Sequence, residues 1–164
     1  MILGMTIFTA MHVLISLIGI VSGLVVLGGL LTNNSMNAWT LLFLITTLAT
    51  SVTGFFFPIH GFTPALGVGI LSMVVLSVTV AARYAFNLSG RWHLMYIAGA
   101  VAALYFNSFV LVVQAFLKIP LLHAFAPTGT EPPFILTQAL VLVFHVGACV
   151  LAVKRSGSSS RSQK

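Results

Sequence analysis

Seven Lys and Arg residues and a single carboxylate, Glu131, are all the formal charge that 164 residues carry, and long apolar runs separate them. A water-soluble domain usually devotes about a quarter of its residues to charge. Here the share is 5%, against 59% hydrophobic, so most of the surface is expected to meet lipid. The same scarcity limits chemistry. One carboxylate cannot form an acid–base pair, and one thiol, Cys149, cannot form a disulfide or a thiolate cage within the chain.

A bilayer-spanning helix needs about 20 largely apolar residues. Polar and proline breaks divide the chain into five such runs, at about 6–31, 38–57, 64–86, 92–117 and 134–153. The expected fold is therefore an all-α integral membrane bundle of five transmembrane helices. It forms one transmembrane domain over residues 1–153, followed by a basic, serine-rich, flexible tail over 154–164. No basic residue precedes the first run, which is too long for a signal core, so an uncleaved chain is expected.

Cytoplasmic loops accumulate Lys and Arg. With five crossings, Arg83, Arg91, Lys154, Arg155, Arg161 and Lys164 fall on one side and only Lys118 on the other. The amino terminus and the stretches 58–63 and 118–133 are expected outside, with the carboxyl tail in the cytoplasm. The net charge of +6 then reflects topology and attraction to anionic lipid. No aromatic residue is interleaved in the basic tail, so no nucleic-acid partner is expected. The expected partners are the lipid bilayer and a membrane protein or second copy of the chain.

Membrane helices associate through small residues and inter-helix hydrogen bonds. Gly19 and Gly23, with Ser16, supply such a stripe in the first run, and Gly99 and Ala103 another in the fourth. The second run carries Thr46, Thr47, Thr50, Ser51 and Thr53. Polar side chains at membrane depth are costly and mark candidate sites. Asn107 and Gln114 are spaced to share one helical face, as are Gln138 and His145. At about 1.5 Å per residue, Gln114 and Gln138 lie roughly 5 Å below the outer surface, and Asn107 and His145 roughly 15 to 17 Å below it.

Antiparallel neighbours would then match these residues in depth. With His12, Ser16, Thr50 and Ser72 they define an expected polar core in the outer half of the bundle. Two readings stand. These groups satisfy one another and set helix register, or they line a ligand, cofactor or proton site. A haem b would need two histidines at one depth on facing helices, for which His12 and His145 are the pair. In the outer loops, His60, His123 and Glu131 are metal-ligand types without the spacing of a compact motif. No metal or other cofactor is expected. Trp92, His93 and Tyr96 read as an inner aromatic belt.

At residues 50–58 (TSVTGFFFP), 105–118 (YFNSFVLVVQAFLK) and 131–134 (EPPF), the sequence resembles small bacterial multi-pass inner-membrane proteins to which no activity is attached. The resemblance implies a bacterial cytoplasmic-membrane location and no particular chemistry. In size the chain is also similar to the tryptophan-rich sensory proteins. However, it has only Trp39 and Trp92 and lacks their aromatic–proline motif.

Overall fold

A computed structural model of the chain describes residues 6–57 and 64–159. Six helices follow in order: α1 Ile7–Thr32, α2 Asn37–Gly54, α3 Pro64–Val80, α4 Arg91–Lys118, α5 Pro120–Phe125 and α6 Pro132–Ser159. A single π-helical turn, Ala81–Ala85, extends α3. No strand occurs among the described residues. Among the described residues the structure is all-helical, and four segments are long and apolar enough to cross a membrane: Ile7–Thr32, Leu66–Ala85, Arg91–Lys118 and Pro132–Gly157. The expected second span is not among them. α2 has 18 residues, and its hydroxyl-rich composition dilutes its apolarity.

Local chemistry sets the helix ends. The Thr6 hydroxyl accepts from the Thr9 N–H and starts α1, which stops where Asn33 turns left-handed at φ 54°. Pro120 forces Ile119 into an extended conformation, ending α4, and serves as the first residue of α5. The stretch 118–133 between the last two long helices thus contains a short helix, with Leu121 and Phe125 exposed. At the carboxyl end, α6 runs on past residue 153 through Ser159. The expected flexible tail is therefore helical over 154–159, and Arg155 in this extension donates to the Leu31 carbonyl at the end of α1. A cation beside the unpaired carbonyls of a helix terminus is favourable. Residues 160–164 lie outside the described residues.

α4 is the central helix, packing against every other helix, while α1 and α2, α2 and α3, and α1 and α6 complete the bundle. Contacts at both ends establish antiparallel pairs. His12 meets Thr53, and Gly23 faces Phe43, so α1 and α2 run in opposite directions. Gly69 lies by Phe55 and Arg83 bonds Asn37, so α3 returns alongside α2. α2 therefore lies flush between α1 and α3, and 18 residues give it a length of about 27 Å.

The apolar core occupies the half of the bundle nearest the α1–α2 and α3–α4 turns. Val26, Leu27, Phe43, Leu44, Leu76 and Leu104 are buried together there. Small residues on α4 and α6, among them Ala100, Ala103 and Ala152, let the helices close on this core. The outward faces remain apolar and uncovered, as at Leu140 (71% exposed) and Val143 (69%). That pattern suits a lipid solvent, in which an exposed Leu costs nothing.

Candidate functional site

Two polar regions emerge. The first is distributed across the membrane-depth part of the helices and contains most of the residues singled out by spacing. His12 Nδ1 lies 2.7 Å from the Thr53 hydroxyl on α2. That hydroxyl donates to the Ala49 carbonyl, so the imidazole must donate from Nδ1. Asn107 Nδ2 donates to Thr47 Oγ1 at 3.2 Å, joining α4 to α2. Gln138 Nε2 donates to the Phe109 carbonyl at 3.2 Å, joining α6 to α4. His145, 5% exposed, donates from Nδ1 to Val141 O in its own helix.

The remaining residues of the expected polar core disperse. Ser16 bonds the Val13 carbonyl of its own helix, Ser72 is buried on α3, and Gln114 is exposed. Among the described residues, three buried polar side-chain atoms have no protein partner: Thr50 Oγ1, Gln138 Oε1 and His145 Nε2.

Asn107 is thus paired with Thr47 and not with His145. The matched depths hold approximately, because Tyr105 of α4 meets the His145 ring edge-on at 5.7 Å. The faces do not. Tyr105 and Phe109 look toward α6, and Asn107, midway between them in sequence, points about 200° around the helix from either, toward α1 and α2. Gln114, spaced to share the Asn107 face, is consequently also turned away from Gln138.

The same register decides whether a haem would fit. Gly19 stands beside Asn107, so His12, two turns nearer the start of α1, stands near the level of Gln114. His145 stands at the level of Tyr105, nine residues lower on α4 and roughly 13 Å away along the axis. Both imidazoles hold the donor on Nδ1 that an Nε2 ligand requires, but they face different helices at different depths. The two residues do not fit a bis-histidine haem.

The loop candidates are simpler. Thr128 N–H, Thr128 Oγ1 and Thr130 N–H all donate to the Glu131 carboxylate, at 3.1, 2.9 and 3.0 Å. Desolvation pushes its pKa upward, but these hydrogen bonds outweigh it and hold the carboxyl below its ordinary value. Glu131 is therefore a loop-organising anion immediately before α6. His123 is exposed on α5, and His60 lies outside the described residues. No metal-ligating cluster of three occurs among the described residues.

The second region, at the opposite end of the bundle, is a cavity of about 140 Å³ between the α1–α2 turn, the π turn, α4 and the end of α6. Its walls include Arg83, His93, Tyr96, Asn34, Ser35 and Ser156. Arg83 donates to Asn37 Oδ1 at 2.7 Å and lies over the Tyr96 ring at 5.2 Å. Tyr96 is 3% exposed and donates to the Thr40 hydroxyl at 3.4 Å. It is not part of an interfacial belt, as sequence reading had it, but a buried shelf under a guanidinium. Trp92 stacks flat on Phe86, with ring centroids 3.7 Å apart. One signal could have revealed this cavity: Arg83 is the only charge within the third apolar run.

Backbone strain surrounds the same place. A π turn widens the helix at Arg83, and Asn87 and Leu88 follow at φ 48° and 56°. Left-handed backbone at a leucine is rare and costs of order 1–3 kcal/mol, so the surrounding packing must hold it there. In this position Leu88 lines the cavity and packs on the core. Compared with known proteins, the chain matches no family model, no curated protein and no solved structure.

Proposed function

We infer that the chain is a five-span integral protein of the bacterial cytoplasmic membrane. Its amino terminus lies outside and its carboxyl end in the cytoplasm, and it serves as a small structural, accessory or binding protein. Five crossings are supported by the placement of α2, which lies flush between two longer apolar helices. Its length of about 27 Å approaches the roughly 30 Å hydrocarbon core. The orientation rests on Arg83, Arg91, Lys154 and Arg155, which lie at one end of the described bundle, against Lys118 at the other. The observation that carries the reading is the use made of the polar groups. His12, Asn107, Gln138 and Tyr96 each bond to a neighbouring helix, which is how register is fixed in a lipid-bathed bundle.

A redox or transport role is the second reading. What favours it is the pair of unpartnered buried atoms, Gln138 Oε1 and His145 Nε2, on the α6 face that meets α4. The redox part of this reading differs from the first in colour. Purified in mild detergent and incubated with haem, the protein is expected to show no Soret band and no haemochrome spectrum. A Soret band present in the native protein and lost in His145→Ala would establish the redox reading instead.

A further inference from the structure

We propose that the cavity beside Arg83 is a binding site for a phosphate group, either the free anion or the headgroup of an anionic phospholipid. Charge balance is the first argument. Arg83 is held at the cavity wall by Asn37 and Tyr96, and neither partner is anionic. No side-chain carboxylate of this chain can neutralise it. Glu131 is the only one, and it precedes the far end of α6, whereas Ser156 near the other end of that helix lines the cavity. The rise over the α6 helix from Pro132 to Ser156 is roughly 36 Å. With an amide and aromatic rings as its described partners, the Arg83 guanidinium keeps its positive charge available to an anion from outside.

Geometry selects the kind of anion. The Asn37 bond uses one of five guanidinium N–H donors, and the planar fork favours oxyanions that accept two parallel bonds. The walls add hydroxyl, amide and imidazole groups from Ser35, Ser156, Asn34 and His93. α2 also begins here, and no side chain caps its first turn. First-turn N–H groups carry partial positive charge. A volume of about 140 Å³ exceeds several-fold the roughly 30 Å³ occupied by one water in the liquid, so a phosphate group has room. The π turn and the left-handed Leu88 are the strained features that widen the backbone at this point. The site is independent of which membrane face this end occupies.

The test uses the full chain in an uncharged detergent. Thermal unfolding is followed during titration with inorganic phosphate, dihexanoyl phosphatidylglycerol or dihexanoyl phosphatidylcholine. The expected result is a saturable rise in midpoint with phosphatidylglycerol and none with phosphatidylcholine. A rise with inorganic phosphate as well shows that the free anion suffices, and a rise with phosphatidylglycerol alone assigns the site to a lipid headgroup. Arg83→Gln should weaken the apparent affinity roughly tenfold or more, and Arg83→Lys should weaken it less. Should Arg83→Gln fail to fold, Ser35→Trp, which fills the cavity from an exposed turn, should abolish the response alone. Arg91→Gln, outside the cavity walls, should leave it unchanged. Equal responses to phosphatidylglycerol and phosphatidylcholine, no saturable response, or native affinity in both Arg83→Gln and Ser35→Trp would overturn the proposal.

Discussion

Gly99→Ala should be among the most damaging single-methyl changes in the bundle, costing about 3 kcal/mol, the upper end for overpacking. A Cβ at residue 99 would overlap the Thr79 hydroxyl and stand 3.3 Å from Thr79 Cβ. Thr79 cannot step aside. It is fully buried on α3, and its hydroxyl donates to the Val75 carbonyl at 2.7 Å. The helices themselves must separate, which breaks the α3–α4 seam on which the Arg83 turn is mounted. Unfolding by SDS titration from mild detergent measures the loss. A second substitution identifies its cause, because Thr79→Ala removes the overlapping atom and should restore most of the stability in the Gly99→Ala background. A Gly99→Ala protein within about 0.5 kcal/mol of the native one would show that the seam is looser than described.

Gly23→Ala should cost about 2 kcal/mol by the same assay. Its added methyl would meet Leu104 Cδ1 at 2.7 Å and the Phe43 ring at 2.8 and 2.9 Å. Both neighbours are 1% exposed, so neither side chain has space to rotate into. This is the point where α1, α2 and α4 converge, and the glycine permits their approach. Gly28→Ala, five residues further along the same helix, is the matched control. Nothing lies within 4 Å of its Cβ, so the substitution should be neutral or gain up to about 1 kcal/mol from helix propensity. If both substitutions behave alike, the effect is propensity and not packing.

These two glycines also show what the sequence makes legible. Gly19, Gly23 and Gly99 stand out as small residues at helix-packing spacing, and the structure places two of them where a methyl would not fit. Helix positions are equally legible, since proline and polar breaks punctuate the runs. The faces are not. Helices that are apolar all round carry little amphipathic period, so the sequence holds depth information without azimuth. Asn107 and His145 illustrate this: their matched depths survive approximately, but their sides of α4 differ. Arg83 was hidden for another reason. Where Lys and Arg are counted for topology, one arginine at the end of a run reads as a marker of membrane side. Only the fold shows Asn37, 46 residues earlier, and Tyr96, after the turn, gathered around it.

The five-crossing arrangement can be decided by parity. Ser35 and Thr128 are separated by α2, α3 and α4, so they lie on opposite membrane faces if α2 crosses and on the same face if it does not. In a Cys149→Ser background, a membrane-impermeant maleimide applied to intact cells should label Thr128→Cys directly and Ser35→Cys only after permeabilisation. Labelling of both positions from the same side would contradict the account.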